Sequence, residues 1–123
     1  MGNAPTKTNG IEVTVDHGEG KTRVRINGRI DIYSSPMLRD RLIALLSREL
    51  PEPLEIDLAD VSYVDASGIA TFVEGLRIAR NRQTTLCLKG LQGRVLHLFE
   101  VAGIPELFAR NGCGSSSSLP KGF

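Results

Sequence analysis

Tryptophan is absent from this chain of 123 residues, and aromatic residues make up only 5% of it. A hydrophobic core therefore has to be built from Leu, Ile, Val and Ala, and the hydrophobic share of 41% is normal for a globular protein. The length is typical of a single domain, and it is enough to bury a core without disulfides or metal ions.

Cysteine and histidine, the residues that most often bind metals, are also scarce. Cys87 and Cys113 form no C-x-x-C pair and make no metal-binding cluster with His17 or His97. The usual zinc-site spacings and a disulfide framework are therefore excluded, and we predict no metal and no other cofactor. Cys87 stands between apolar residues and is predicted to be a small buried side chain.

Long apolar runs and an excess of one charge are missing as well. No stretch approaches the ~20 apolar residues that cross a membrane, and the first residues contain no apolar signal-peptide core. With 15 basic and 14 acidic residues the net charge is +1, which argues against nucleic-acid binding because such proteins carry a basic excess. We therefore expect a cytoplasmic protein without direct membrane insertion.

Short apolar patterns of two different periods alternate along the chain. Strand-like runs occupy residues 11–15, 24–26, 54–58 and 84–88, and the first two flank a glycine turn, as in a hairpin. Stripes of helical spacing occupy residues 38–46, 69–79 and 91–102, followed by a short segment at 104–108. The order β-β-α-β-α-β-α predicts an α/β fold, a four-stranded and mostly parallel mixed sheet with helices packed on one face.

The ends of the chain differ in composition from its middle. Residues 1–10 are polar and contain Pro5 and Gly10, so they are predicted to form a disordered arm. Residues 111–123 are rich in Gly and Ser and are predicted to form a disordered tail. The folded domain is therefore assigned to residues 11–110.

The segment Asp60–Ile69 joins a predicted strand to a predicted helix. In open α/β sheets, ligands and partners meet the loops that follow the carboxyl ends of the strands. Asp65 or Ser67 is placed to cap the helix, and Gly68 leaves space beside its start. The unpaired N–H groups of a helix start favour an anion, including a phosphate on Ser67. The spacing alone favours ordinary capping.

Three stretches of the chain carry a more specific pattern. They are Gly28-Arg29-Ile30-Asp31, the run D-L-A-D-V-S-Y-V-D-A-S-G-I that ends at Ile69, and the run L-F-E-V-A-G-I that ends at Ile104. Together they resemble the STAS domain of anti-sigma factor antagonists over residues 11–109. The second run resembles the family's motif around a phosphoacceptor serine. The resemblance implies that Ser67 is phosphorylated, with Asp31 and Asp65 as acidic residues near it.

The resemblance also implies a function and partners. In the family, the unphosphorylated domain binds an anti-sigma factor that is itself a serine kinase. Phosphorylation breaks that complex, and a phosphatase restores it. We therefore expect a regulatory binding protein switched at Ser67, with these residues around the site: Asp31, Ser34, Asp65, Ala66, Gly68 and Ile69. Ala66 departs from the family, since many members have a second small hydroxyl residue there.

Other functions are compatible with the same resemblance. Stand-alone STAS domains also serve as cytoplasmic subunits of phospholipid-transporting ABC complexes, where they bind the ATPase without phosphorylation, and a stressosome-type scaffold is a further alternative. An enzyme is not expected, because Ser67 lies in no G-x-S-x-G elbow and neither His17 nor His97 is obviously placed to act as its base. The chain also lacks the glycine-rich nucleotide-binding motifs.

Overall fold

The computed structural model describes residues 6–104. The elements in chain order are β1 (Thr6–Thr8), β2 (Ile11–Gly18), β3 (Lys21–Ile30), α1 (Ser35–Leu46), β4 (Leu54–Val64), α2 (Ala66–Asn81), β5 (Leu86–Lys89) and α3 (Gly93–Val101). The predicted α/β class and the predicted order of elements from β2 to α3 are confirmed. Within residues 6–104, none of the helices is long and apolar enough to cross a membrane.

The five strands form one mixed sheet in the order β1-β2-β3-β4-β5. The pairs β1–β2 and β2–β3 are antiparallel, whereas β3–β4 and β4–β5 are parallel. The prediction of four strands in a mostly parallel sheet was therefore wrong. The additional strand is Thr6–Thr8, in the segment predicted as an arm, and its polar residues show no apolar alternation that would mark a strand. The sheet is bordered by short strands, three residues in β1 and four in β5.

Strands β2 and β3 form the predicted hairpin. Their pairing closes at Gly18 and Lys21, which leaves Glu19 and Gly20 as a two-residue turn. Both turn residues have positive φ angles, 57° and 76°. A type I′ turn requires this, and its twist matches that of the strands it connects. The turn therefore fixes the register that places the apolar residues of both strands on one face.

Helices of the described part of the chain bury one face of the sheet. Every second strand residue is buried there, including Val13, Val24, Ile26, Ile56, Leu86 and Leu88. The helices cover these residues with apolar stripes, which contain Leu38, Leu42 and Leu46 of α1, Phe72, Leu76 and Ala79 of α2, and Val95 and Phe99 of α3. The rings of Phe72 and Phe99, 5.8 Å apart, join α2 to α3. The predicted packing of helices on one face is confirmed for the described residues.

The opposite face of the sheet carries charged side chains. Around Glu55 on β4 lie Lys21 at 2.8 Å, Arg23 at 3.5 Å and Lys89 at 3.7 Å. Partial burial raises the pKa of Glu55, but the hydrogen bond from Lys21 and the neighbouring cations outweigh burial and hold that pKa below its usual value. This Glu55 cluster links β3, β4 and β5 across the face that no described helix covers.

Two further differences from the sequence predictions concern single elements. β4 continues to Val64 instead of ending at Leu58, because it stays paired with β3 through two register shifts. Cys87 is half-buried on β5 and disulfide-bonded. The prediction of a buried thiol outside any disulfide was wrong. The described residues do not include the predicted tail, residues 111–123. Of the predicted short segment 104–108, they include Ile104 alone.

Candidate functional site

The segment singled out in the sequence is the junction between β4 and α2. β4 ends at Val64, α2 begins at Ala66, and Asp65 is the single residue between them. The Asp65 amide donates to the Ile30 carbonyl at the end of β3, at 3.0 Å. The carboxyl ends of two parallel strands therefore meet at this junction, where open α/β sheets usually bind ligands or partners.

Asp65 caps α2 through one carboxylate oxygen. Its Oδ1 accepts the backbone N–H of Ser67 at 2.9 Å and that of Gly68 at 3.2 Å. These bonds satisfy two of the amides that a helix start leaves unpaired. Of the two caps considered from the sequence, Asp65 is the actual cap, and Ser67 lies inside the first turn.

The Ser67 hydroxyl stands at the centre of a chain of hydrogen bonds. It donates to Asp65 Oδ1 at 2.6 Å, and its oxygen lies 2.8 Å from Ser35 Oγ at the start of α1. Ser67 has a single hydroxyl proton, and the short contact with the carboxylate uses it. Ser35 is therefore the donor in the second bond. One lone pair of the partly exposed Ser67 oxygen stays open.

The charge of Asp65 follows from the same contacts. Partial burial raises the pKa of Asp65, but hydrogen bonds to the carboxylate outweigh burial and hold that pKa below its usual value. The strongest of these bonds comes from the Ser67 hydroxyl, and backbone amides supply the others. Asp65 is therefore ionised at neutral pH, and it directs the Ser67 proton towards itself.

The loop between β3 and α1 contains Asp31 and Ser34. Asp31 Oδ1 accepts the amides of Tyr33 at 2.9 Å and Ser34 at 3.2 Å. Ser34 Oγ donates to the Arg29 carbonyl at 2.8 Å. Neither Asp31 nor Ser34 has a hydrogen bond to Ser67 among the described contacts. They shape the loop that brings the next residue, Ser35, to it.

No serine side chain caps α1. Ser34 occupies the N-cap position, but its side chain makes no capping hydrogen bond. Pro36 in the first turn has no N–H to donate, which removes one of the amides that a cap would accept. The Ser34 hydroxyl is used inside the preceding loop, and the Ser35 hydroxyl is used by Ser67.

The remaining predicted site residues seat α2 on the sheet or face solvent. A Cβ atom at Gly68 would lie 2.7 Å from Ile30 Cγ2 and 2.8 Å from Val64 Cγ1, so only glycine allows this close packing. Ile69 packs half-buried against the core, and Ala66 is exposed. Of the residues predicted to surround Ser67, only Asp65 is brought into hydrogen-bond contact with its hydroxyl.

A groove of about 440 Å³ separates α1 from α2 and includes Ser67. Arg39 and Glu74 line it and join the two helices through two N–O contacts of 2.8 Å each. Ile32, which lines the groove together with Ser67, and the next residue, Tyr33, are 61% and 69% exposed. We call the groove together with Ile32 and Tyr33 the Ser67 surface. Its adjoining apolar and charged parts are suited to binding another protein.

Several parts of the Ser67 surface were missed in the sequence. Ile32 and Tyr33 are two large apolar residues in a short loop after a strand, which is a pattern that could have been used. The contact between Ser35 and Ser67 joins residues that lie 32 positions apart. No local pattern predicts that contact or the Arg39–Glu74 pair, because both arise from the packing of α1 against α2.

Both histidines lie away from the Ser67 hydroxyl. His17 Nδ1 lies 3.1 Å from Thr22 Oγ1 in the hairpin, and His97 is exposed on α3. Neither histidine contacts Ser67 among the described contacts. No group of three His, Cys, Asp or Glu side chains between residues 6 and 104 is arranged to hold a metal ion.

Comparison with known proteins identifies the family. A family model described as "Mlab, STAS domain" matches residues 13–109. The anti-sigma-B factor antagonist of Bacillus subtilis (strain 168) is 36% identical over 97 residues, which cover 79% of this chain and 87% of that protein. This mixed sheet with its strand-to-helix junction is thus a STAS fold. The chain belongs to the STAS domain family, and the resemblance found in the sequence is confirmed.

Solved structures show the same fold at low sequence identity. An anti-sigma factor antagonist from Mycobacterium paratuberculosis matches with a TM-score of 0.67 and 20% identity, over 80% of this chain and 82% of that one. The Bacillus cell fate determinant SpoIIAA in its phosphorylated form matches with a TM-score of 0.64 and 12% identity, over 77% and 86% of the two chains.

Proposed function

We propose that this chain is an anti-sigma factor antagonist. In this proposal it binds an anti-sigma factor while Ser67 is unmodified, that factor phosphorylates Ser67 as a serine kinase, and a phosphatase reverses the change. The observation that carries the proposal is the Ser67 hydroxyl, which is partly exposed at the start of α2 with its proton held by Asp65 at 2.6 Å. No catalytic activity is proposed for the chain itself.

The relatives support the binding role. The Bacillus subtilis protein is named an anti-sigma-B factor antagonist and is 36% identical to this chain. SpoIIAA, which shares the fold, has been solved in a phosphorylated form. Ile32 lines the groove with Ser67, and its exposed side chain and that of the adjacent Tyr33 offer apolar contact area to a partner. A partner that covers Ile32 and the groove would also cover the Ser67 hydroxyl.

Charge supplies the switch in this proposal. A phosphate adds about −1.5 to −2 charges at pH 7, and Ser67 already lies against an ionised Asp65. Like charges at a packed interface cost several kcal/mol. An equilibrium moves from 1:99 to 99:1 with about 5.5 kcal/mol. A phosphate in a covered interface is therefore sufficient to release the partner without refolding either protein.

The first test is purification of the tagged chain from its native host. Mass spectrometry then identifies the co-purifying proteins and the modification state of the Ser67 peptide. A serine kinase together with partly phosphorylated Ser67 is the expected result. Recovery of an ABC ATPase with unmodified Ser67 would overturn the proposal.

Variants then measure the switch against the recovered kinase. Ser67→Asp is expected to weaken binding by about 100-fold or more, which corresponds to ~2.8 kcal/mol, whereas Ser67→Ala should bind like the wild type. Ser47→Asp adds the same charge at an exposed position after the end of α1 and should change binding by less than about twofold. Equal affinities of the wild type and Ser67→Asp would show that charge is not the switch.

A second candidate is a subunit of a phospholipid-transporting ABC complex that binds the ATPase. One observation favours it: the capping of α2 by Asp65 accounts for the hydrogen bonds of Ser67 without any phosphate. The exposed Ile32 and Tyr33 would serve an ATPase as well as a kinase. The name of the Bacillus subtilis relative favours the antagonist, and the purification described above separates the two functions.

A further inference from the structure

We propose that a phosphate on Ser67 is held within this chain, in the groove between α1 and α2, by the Ser35 hydroxyl and the Arg39 guanidinium. Arg39 leaves Glu74 to make this contact. The inference rests on the proposed phosphorylation of Ser67 and adds to it an internal binding site for the phosphate. It is carried by the position of Ser35, by the residues that line the groove, and by the existing Arg39–Glu74 pair.

The two neighbours of Ser67 Oγ set the direction of the phosphate. Asp65 Oδ1 lies 2.6 Å away on the side of β4. Phosphorylation removes the proton of that bond and leaves two anionic groups facing each other. Ser35 Oγ lies 2.8 Å away on the side of α1, is 95% buried, and is the donor in its contact with Ser67. Repulsion on one side and a donor on the other turn the phosphate towards α1 and the groove.

Arg39 is placed to meet a phosphate that turns this way. It lies one helical turn after Ser35 on α1, and residues four apart on a helix are neighbours. Arg39 and Ser67 both line the groove, and among residues 6–104 Arg39 is the only basic residue that does so. Its side chain is 48% exposed, so rotation towards Ser67 requires no repacking of the core.

Arg39 is now engaged by Glu74 in a two-contact ion pair. A carboxylate offers one negative charge, whereas a phosphate offers about −1.5 to −2 charges and three strong acceptor oxygens. Arginine binds phosphate and carboxylate with the same fork geometry. The phosphate is therefore the stronger partner, although Asp40 and Glu74 also line the groove and Asp65 adjoins Ser67.

The exchange extends the effect of phosphorylation along α2. Glu74 lies seven residues after Ser67, about 10 Å along the helix. Once Arg39 leaves, the Glu74 carboxylate loses its hydrogen-bonded counterion and keeps only the weaker attraction of Arg77, and the phosphate occupies part of the groove. A partner bound to the Ser67 surface would then meet a changed charge at two places instead of one.

The test uses the full chain with phosphoserine installed at position 67 by genetic code expansion, so no kinase is needed. Phosphorus NMR follows the second ionisation of the phosphate, whose ordinary pKa is about 6. That pKa is expected to be lower in the wild type than in Arg39→Gln by about half a unit or more, because a nearby cation favours the dianion. Ser35→Ala is also expected to have a higher phosphoserine pKa than the wild type, because a hydrogen-bond donor to the phosphate is lost.

Arg80→Gln is the matched control, since Arg80 is exposed in the last turn of α2 and its loss changes the net charge equally. It should titrate like the wild type. If the phosphoserine pKa is equal in the wild type and in Arg39→Gln, the inference is overturned. If the phosphoserine pKa is unchanged in Ser35→Ala, the role given to Ser35 is overturned. Because the phosphate is installed synthetically, neither result depends on whether cells phosphorylate Ser67 or on the binding tests above.

The exchange itself has a separate readout. Arg39 holds the pKa of Glu74 below its usual value in the unmodified chain, chiefly through their hydrogen bond. Carbon NMR of the Glu74 carboxyl should show this pKa rising when residue 67 is phosphoserine. An unchanged Glu74 titration would show that Arg39 stays with Glu74 and would overturn the exchange.

Discussion

At the scale of single residues, Asp65 Oδ1 accepts three hydrogen bonds, two from the amides at the start of α2 and one from the Ser67 hydroxyl. The same atom therefore stabilises the helix and orients the side chain that the proposed function depends on. A change at Asp65 alters both properties, so a loss of partner binding in such a variant has to be compared with its stability.

Asp65→Ala is expected to lower the free energy of unfolding at neutral pH by about 1 kcal/mol, the usual contribution of an N-cap. The pKa of Asp65 is lowered in the folded chain. Its contribution is therefore fully present above the unfolded value of about 3.9 and is lost as the pH falls through the folded value. Urea unfolding measured from neutral pH down to about pH 2 should show the two stability curves converging.

Asp65→Asn is the matched control for this prediction. Its amide oxygen can still accept the N–H groups of Ser67 and Gly68, so it should lose less stability than Asp65→Ala. It carries no acid that titrates, so it separates the geometry of the cap from its charge. Equal stability of Asp65→Ala and the wild type at neutral pH would contradict the capping role.

At the scale of elements, the Glu55 cluster ties three strands together on the open face of the sheet. Glu55→Gln is expected to lower the free energy of unfolding at neutral pH by about 1 kcal/mol, because Lys21, Arg23 and Lys89 lose a shared counterion. The lowered pKa of Glu55 means that this contribution is present above about pH 4.3 and is lost at lower pH. Denaturant unfolding at neutral and acidic pH measures the difference.

Glu12→Gln provides the comparison for Glu55→Gln. Glu12 is a half-buried strand glutamate on β2 that makes no ion pair with a described residue. Its replacement should change stability by less than about 0.5 kcal/mol. If both variants lose the same stability, the cations around Glu55 do not stabilise the sheet.

Elements with a regular apolar pattern could be predicted from the sequence. The hairpin and the three helices belong to this group, whereas β1 does not, because Thr-Lys-Thr has no apolar alternation. The extension of β4 was hidden because two consecutive residues, Ala59 and Asp60, are exposed and interrupt the alternation, and because the pairing with β3 continues through register shifts. At the site, Asp65 and Ser67 are neighbours in the sequence and were found. The role of Ser35 was not found, because its contact with Ser67 arises from the packing of α1 against α2.

At the scale of the whole molecule, exposed apolar side chains occur at both ends of the sheet. Tyr33, 69% exposed, lies near the carboxyl ends of β3 and β4, and Leu50, 86% exposed, lies in the connection that leads into β4. Only Tyr33 lies in the loop that leads to Ser35, the hydrogen-bond partner of Ser67. The fold therefore offers a built-in comparison between two apolar surface positions.

Tyr33→Ser is expected to weaken binding to the anti-sigma factor recovered in the purification by about tenfold or more, the usual cost of truncating an aromatic anchor. Its thermal stability should stay close to that of the wild type, because an exposed side chain contributes little to the core. Leu50→Ser should leave both binding and stability unchanged. Calorimetric titration and thermal unfolding measure the two properties, and unchanged binding by Tyr33→Ser would place the interface elsewhere.

The two borders of the sheet have a consequence for solubility. A long, uncovered border strand is a template for the edge-to-edge pairing that leads to aggregates and fibres. Within the described residues the borders are three and four residues long, and each contains a lysine, Lys7 in β1 and Lys89 in β5. Pairing at either border would gain few hydrogen bonds and would bring like charges together. Between residues 6 and 104, the sheet is therefore a poor template for edge-to-edge polymerisation.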